Sequence, residues 1–394
     1  GFCVDTLLYL AASLKAPETS AAALETISAA TDARARADAE ANCIQQAYAR
    51  ATELAHRVRS AEASLSRQID AARIQSYLRA QPGGGAQLQV RSAVALQGGR
   101  SKLTILVSID QATSLPDELV IRQDWSGAVT GTSVAMEFEI LRRVHAAGIC
   151  VPAPLLLETG SAALGAPFIV VARAHGKPLG DIFEAPGVQP VRELAAQLAR
   201  IHALPVADFE NLPGVSEQSY TIEQLRGDLA RYRATIEQLG GPLPAFIPYA
   251  FDWLLANIGR VHSPRTLVHG DVGWHNNLVD GEHLSAILDW EMAHLGSPAL
   301  DLGWVRTATE QVLPWDEFLR LYHEAGGPQV DAFAVDWYNV FRKLWLTHLV
   351  VQARAAVASG ALHDIEYAQI AARYGPAVVM QLSRALQQAL ANNP

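Results

Sequence analysis

Asp271, Asn276 and Asp289 are the residues of this chain whose types and spacing could move a phosphoryl group. They stand in His269-Gly270-Asp271-Val272-Gly273-Trp274-His275-Asn276, then Asn277 to Leu288, then Asp289-Trp290-Glu291. Transfer to a hydroxyl needs a carboxylate that orients the hydroxyl and accepts its proton. It also needs oxygen ligands that hold magnesium against nucleotide phosphates. An aspartate, an asparagine five positions on and a second aspartate beyond a short hairpin supply that set.

The elements that must position them can be read from pattern. Thr266-Leu267-Val268 is a short apolar run ending at the His-Gly-Asp turn. Asn277-Leu278-Val279 and Leu284 to Leu288 read as two strands joined by Asp280-Gly281-Glu282-His283, because Asp-Gly between apolar runs signals a hairpin. With Val279 opposite Leu284, Asn276 falls opposite Ile287, and Asp289 emerges at the same open end as Asn276.

This segment resembles the catalytic core of the aminoglycoside phosphotransferase and choline kinase-like family, small-molecule relatives of the protein kinases. His-Gly-Asp, four variable residues, Asn, then Asp-Trp-Glu follow the family pattern without a gap. The resemblance implies Asp271 as catalytic base, Asn276 and Asp289 as Mg²⁺ ligands, and His269 as a residue that shapes the loop. Asp301, in Pro298-Ala299-Leu300-Asp301-Leu302-Gly303, matches the family's following aspartate, a brace for the catalytic loop. It implies an α+β, bilobal, protein-kinase-like fold with a small β-rich nucleotide lobe and a large helical lobe.

Upstream, residues 86–175 fit the nucleotide lobe. Gln87 to Leu96 alternates, Gly98-Gly99-Arg100-Ser101 breaks the pattern, and Leu103 to Ile109 is a second strand. A glycine turn between two strands can lie over phosphates and donate backbone N–H groups. Glu118 to Arg122 is a third strand that ends where the family places its phosphate-contacting basic residue, here Arg122 rather than lysine. A guanidinium can clamp phosphate with two parallel hydrogen bonds. Lys102 is a second candidate for that contact, although it reads more simply as a surface lysine. Met136 to Val144 is an amphipathic helix by its three-and-four spacing, and the resemblance pairs its Glu137 with Arg122. Pro167 to Gly176 is the last strand and hinge, where the family binds the purine through backbone groups, here Arg173 and Ala174. Backbone recognition leaves ATP and GTP both open. The Gly-Gly-Arg-Ser, Val-Ile-Arg and Asp-Trp-Glu wording is most similar to the kinases associated with acyl-CoA dehydrogenases.

From residue 176 to 394 the chain is expected to be helical around the catalytic hairpin, over Val191 to Leu204, Ile222 to Leu239, Pro248 to Val261, Trp315 to Ala325, Asp331 to Ser359 and Pro376 to Ala391. Seven of eight tryptophans fall there. Core packing and pocket walls account for them more simply than an aromatic box for a quaternary ammonium. Glu310, Asp316, Glu317 and Asp336 could face a cationic substrate but read as a solvated face. Residues 1–85 lie outside the resemblance. Their Ala-rich stretch from Thr31 to Gln81 suggests a long helix or helical pair, an N-terminal extension that covers a partner surface or the nucleotide lobe.

The chain has 394 residues, half of them hydrophobic, enough for two or three cored domains. A net charge of -9 argues against broad nucleic-acid binding. Three scattered cysteines fit free thiols in a reducing cytoplasm, and no apolar run approaches the ~20 residues of a membrane helix. The expected partners are therefore a nucleoside triphosphate with Mg²⁺ and a small-molecule hydroxyl acceptor: a hydroxylated acyl thioester, with an antibiotic or choline behind it. A nucleotide-binding pseudokinase that uses its helical N-terminal segment as a scaffold is the alternative. A metal-dependent phosphoesterase is a third reading, although its Gly-Asn-His-Asp and Gly-His-x-His motifs do not occur.

Overall fold

The computed structural model describes residues 69–96, 102–124, 133–212, 214–215, 221–240, 244–261, 264–359 and 365–393. The Gly98-Gly99 turn and the expected helical stretch over 31–68 lie outside the described residues. The described elements build a mixed α/β fold, an antiparallel sheet followed by a mostly helical part. Contacts divide it into two compact units. Ser66–Thr221 with His262–Tyr338 form one; Ile222–Val261 and Asn339–Pro394 fall in the other.

The first unit begins with helix α1 (Ala71–Ala80) and strands β1 (Gln89–Leu96), β2 (Lys102–Asp110) and β3 (Glu118–Asp124). Helix α2 (Val134–Ala146), β4 (Pro154–Glu158) and β5 (Phe168–Ala172) follow. The five strands form an antiparallel sheet in the order β1-β2-β3-β5-β4. Side chains alternate along a strand, so each strand serves both faces of the sheet. Ile105, Val107 and Ile109 of β2, Leu119 and Ile121 of β3, and Phe168 and Val170 of β5 make one apolar face. Thr104, Leu106, Val120, Arg122 and Val171 point to the other and line a cavity.

Helix α1, which falls within the expected N-terminal extension, closes the apolar face. Its Ile74 and Leu78 are buried in the sheet's core, and Tyr77 meets Phe168 edge-on with ring centres 4.8 Å apart. Asp70 caps the helix by accepting from the Arg73 N–H at 3.0 Å. Gln75 accepts from the Val90 N–H of edge strand β1 at 2.9 Å, and Arg79 donates to the Leu88 carbonyl at 2.8 Å. Leu78 is fully buried. Leu78→Ala is therefore expected to cost about 3 kcal/mol of stability, read as a fall in the urea midpoint.

Helix α2 sets Glu137 and Glu139 on different faces. Ser133 caps it through its hydroxyl, which accepts from the Met136 N–H at 3.3 Å. Glu137 shares a stripe with Ile140, Leu141 and Val144, at the spacing that brings side chains to one helix face, and all four are buried. Glu139 turns outward and pairs with Arg142 and Arg143. Lys102, expected at the surface, is instead buried and pairs with Asp124 at 2.7 Å. The same Asp124 accepts from the Val134 N–H at the start of α2, which explains why a lysine at the start of β2 is drawn inward.

Beyond β5 come β6 (Lys177–Pro178), helix α3 (Val188–His202), β7 (Thr266–Val268), β8 (Asn277–Asp280), β9 (His283–Ile287) and β10 (His294–Gly296). Helices α6 (Pro298–Thr309) and α7 (Trp315–Glu324) complete the unit. Between β6 and β10 in chain order, α4 (Ile222–Leu239) and α5 (Phe246–Asn257) belong to the other unit. Helix α8 (Ala332–Ala358) runs from one unit into the other, and α9 (Ile365–Asn392) ends the chain, beginning ahead of Pro376 rather than at it. In the second unit α5 packs on α4 and α9, and Tyr232 meets Phe341 and His348. Helix α6 is absent from the sequence reading, although Ser297-Pro298 is a helix-start signal: Ser297 caps it and Pro298 opens it. Among the described residues, no helix is long and apolar enough to cross a membrane.

Candidate active site

The β8–β9 hairpin pairs Val279 with Leu284 as expected, but a bulge between Leu278 and Val279 shifts the rest. Asn277, not Asn276, lies opposite Ile287. Asn276 is left just outside the ladder, where its carbonyl accepts from the Leu288 N–H at 2.8 Å. The bulge therefore keeps Asn276 beside the strand end from which Asp289 leaves. Asp289 takes up left-handed backbone, with φ of 66°. Asp tolerates that region better than most residues, at a cost a site can sustain.

Asn276 donates to both the backbone carbonyl and the Oδ2 of Asp271, at 2.9 and 3.1 Å. His275 Nε2 lies 3.3 Å from the same Oδ2. Neighbouring Asn277 is wholly buried and donates to the Val272 and Gly273 carbonyls, fastening the loop to β8. The ring of His275 lies against Gly273, where a β-carbon would come within 2.6 Å of it. Burial disfavours the charged form of His275, yet Asp271 and then Asp289 and Asp181 outweigh it and raise its pKa above the usual value. Fields from both Asp271 and Asp289 thus fall on one imidazole.

His269 has the structural place expected of it. Its Nδ1 accepts from the Asp271 N–H at 3.2 Å, so Nε2 is the protonated nitrogen and donates to the Leu288 carbonyl at 2.9 Å. One ring therefore ties the Asp271 loop to the strand leading into Asp289. Burial lowers its pKa and keeps it neutral, and Trp290 packs edge-on against it at 4.7 Å.

Asp301, fully buried on α6, accepts from the His269 and Gly270 N–H groups at 2.8 and 2.9 Å. Behind it stand His202 of α3, 3.1 Å from Asp301 Oδ2, and Tyr322 of α7, 2.8 Å from His202 Nδ1. Burial opposes the charge on Asp301, but the His202 hydrogen bond and the other donors hold its carboxyl below the usual range. The sequence reading missed His202 and Tyr322. A signal existed for the first, since His202 lies four residues after Leu198 on an otherwise apolar stripe. Gly270 has φ of 81°, and a β-carbon there would sit 2.5 Å from the Met292 carbonyl oxygen. Gly270→Ala is expected to destabilise by about 2 kcal/mol from the left-handed backbone alone, measured by thermal unfolding, and to lower turnover as the loop shifts.

On the sheet side, Arg122 donates from Nη2 to Asp289 Oδ1 at 2.8 Å, and its Nε lies 3.1 Å from Glu137 Oε1. The expected Arg122–Glu137 pair is formed, and it extends to Asp289. Burial disfavours the Arg122 charge, but the two carboxylates outweigh it and raise its pKa. Burial pushes the Glu137 carboxyl up against the pull of Arg122. Arg122, Glu137, Asp289, Arg173 and Ala174 line one cavity of about 260 Å³, with Leu106, Val120, Leu141, Val171, Leu278 and Leu288 among its apolar walls. At the hinge, the Arg173 N–H donates to the Glu118 carbonyl at 3.1 Å, and its guanidinium pairs with the Glu118 carboxylate.

Three of the four acidic residues that could have met a cationic substrate are engaged within the fold, and Asp316 is exposed. Asp336 is buried against Arg306 at 2.5 Å, Glu310 pairs with the same arginine, and Glu317 pairs with Arg192. Trp274, Trp290, Trp304 and Trp337 are fully buried, and Trp315 stacks on Phe318.

Comparison with known proteins agrees with this architecture. The pattern of the phosphotransferase enzyme family, APH, matches residues 92–337. The chain is 24% identical over 266 residues to human acyl-CoA dehydrogenase family member 11, a match that covers 63% of this chain and 33% of that protein. The chain thus spans about a third of the length of that relative. Among solved structures, spectinomycin phosphotransferase APH(9)-Ia, in complex with ADP and spectinomycin, superposes with a TM-score of 0.55 at 16% identity. That match covers 82% of this chain and all of the other. A choline/ethanolamine kinase family protein from Mesorhizobium loti gives 0.52 at 19% identity, over 81% of this chain and 98% of the other. With 92–337 holding the sheet, the hinge, the His-Gly-Asp loop and the Asp289 turn in one continuous match, this chain belongs to the phosphotransferase enzyme family.

Proposed function

We propose that the protein is a Mg²⁺-dependent kinase of small molecules, which moves the γ-phosphoryl group of ATP or GTP to a hydroxyl. The observation that carries this reading is the convergence of Asp271, Asn276 and Asp289 on one hairpin end, with Arg122 reaching Asp289 across the apolar cavity. The cavity suits a purine, with Arg173 and Ala174 at its hinge edge.

The donor set fits magnesium, a hard cation that takes oxygen ligands. Asn276 spends its amide N–H₂ on Asp271, which turns its carbonyl oxygen to the ligand role, and Asp289 adds a carboxylate. When bound, Mg²⁺ would neutralise charge on the phosphates. Asp271 orients the acceptor hydroxyl and takes its proton, with Asn276 and His275 fixing the carboxylate. Arg122, held by Glu137, steadies the phosphates. Catalysis is then chiefly positioning and charge stabilisation.

For the acceptor, a hydroxylated acyl thioester or similar metabolite ranks ahead of an antibiotic or choline. The similarity to an acyl-CoA dehydrogenase family member supports that order, as does the internal pairing of Glu310, Glu317 and Asp336. A cytoplasmic setting, with nucleotide and free thiols, belongs to the same reading.

The test is Mg²⁺-dependent ATP and GTP turnover by wild type and Asp271→Ala, across pooled hydroxylated acyl-CoAs, other hydroxylated metabolites and antibiotics. Turnover that needs one pool and vanishes in the variant is expected. Nucleotide binding with no acceptor-dependent turnover would overturn the kinase and favour a nucleotide-binding scaffold.

A further inference from the structure

Lys102 has no part in the reaction described above, yet its side chain is only 2% exposed. An ammonium withdrawn from water is costly unless it is paired, and here Nζ meets Asp124 Oδ1 at 2.7 Å. Lys102 stands opposite Asp124 across the β2–β3 pair, as Thr104 stands opposite Arg122. Side chains two apart on a strand share a face, so Arg122 and Asp124 rise from β3 on the same side.

Helix α2 meets both of them. Its first residue, Val134, donates its N–H to the Asp124 carboxylate, at 3.1 Å to Oδ1 and 3.4 Å to Oδ2. That N–H is one of four that a helix start leaves without an intrahelical partner, and an anion there also suits the helix dipole. Three residues on, Glu137 lies 3.1 Å from Arg122 Nε. Strand and helix are thus joined by two rungs, Asp124 to Val134 and Arg122 to Glu137. Asp124 is 24% exposed, so without a buried cation to hold it the carboxylate would gain by turning to water and leaving the helix. Lys102 is in reach of the second rung as well: burial raises the Glu137 carboxyl, and the charges of Arg122 and then Lys102 pull against that rise.

We propose that Lys102 is a positioning residue for phosphate binding. By holding Asp124 on the first turn of α2 it sets the helix against β3 so that Glu137 meets Arg122, and it touches no phosphate itself. This rests on the nucleotide reading above, in which Arg122 steadies the phosphates.

The experiment measures ADP and adenosine affinity by calorimetry with Mg²⁺ present, on the full chain, beside a thermal melt of each protein. Lys102→Met is expected to bind ADP about five- to tenfold more weakly, inside the range for residues of one network. Adenosine has no phosphate to reach Arg122, and its affinity should stay within about twofold, the tolerance for an uncoupled site. In a Glu137→Gln background the Arg122 ion pair is already gone. Adding Lys102→Met there should change ADP affinity by less than about twofold, the non-additivity of residues that act through one another. Asp124→Asn keeps the shape and an oxygen for Val134 but loses the charge that holds Lys102. It is expected to shift ADP affinity in the same direction by a smaller factor, and it replaces Lys102→Met in the cycle if that variant does not fold. Unchanged ADP affinity in the folded variants would overturn the proposal and leave the nucleotide site standing. Losses that simply add between Lys102→Met and Glu137→Gln would also overturn it, and would make Lys102 a direct phosphate contact. No ADP or adenosine binding by wild type would overturn both the proposal and the nucleotide reading.

Discussion

Asp271→Asn is expected to lower kcat by about 10³-fold, the middle of the range for loss of a general base, or roughly 4 kcal/mol of transition-state stabilisation. The asparagine keeps the shape of the side chain and one oxygen to accept from Asn276 and His275, so the loop is held as before. It cannot take a proton from the acceptor hydroxyl. The proposed nucleotide contacts fall to Arg122 and the cavity walls rather than to Asp271, so nucleotide KM should change by less than about twofold, the pattern of an interaction made only in the transition state. The measurement is steady-state kinetics on the acceptor pool that supports turnover, beside a thermal melt to show that the fold is intact. A kcat within tenfold of wild type would remove Asp271 from the role of base.

Asp301→Ala is expected to be the most destabilising single change at the site. It strands two buried backbone N–H groups, those of His269 and Gly270, and removes the partner of His202. Removing one member of a buried charged network costs about 3–5 kcal/mol, read from chemical unfolding followed by tryptophan fluorescence. The pH dependence has a definite sign. The Asp301 carboxyl titrates below its usual value in the folded protein, so its stabilisation is fully present above the unfolded carboxylate value of about 3.9. It is lost as pH falls through the lowered folded value, because the unfolded chain binds the proton first. His269, also lowered, adds a loss that begins as pH falls below about 6.5. The variant should therefore lose stability less steeply than wild type at the acid end. A parallel acid limb in both proteins would show that Asp301 does not carry that part of the dependence.

Much of the site was legible because its residues are close in sequence and punctuated by turn chemistry. His-Gly-Asp, the Asp280-Gly281 turn and Asp289 within one hairpin constrain each other's positions whatever surrounds them. The stripe of Met136, Ile140, Leu141 and Val144 likewise identified α2, and Glu137 one position from Met136 was correctly aimed at Arg122. The errors lie where packing overrides local pattern. The register of the hairpin differs by one residue at its open end, because a bulge inserts a residue that periodicity cannot announce. Lys102 is buried because Asp124, distant in sequence, offers it a partner across the β2–β3 pair. Helix α6 was overlooked because eleven of its twelve residues are buried, so it lacks the polar face that helical periodicity depends on.

By itself the sequence determined the set of groups and its family: two carboxylates, an amide and a basic residue, at the spacing of the phosphotransferase family, with strands ahead of them and helices behind. Local hydrogen-bond rules and side-chain periodicity act over a few residues, and they suffice for that. Only the tertiary structure decided which groups hold the loop rigid. The line from Tyr322 through His202 and Asp301 to the His269 and Gly270 backbone joins residues from helices far apart in sequence. Only the fold decided, too, that Arg122 faces Asp289 as well as Glu137. Such contacts arise from burial, which makes every polar group withdrawn from water find a partner wherever the chain brings one, and the spacing of residues along a chain carries no record of that choice.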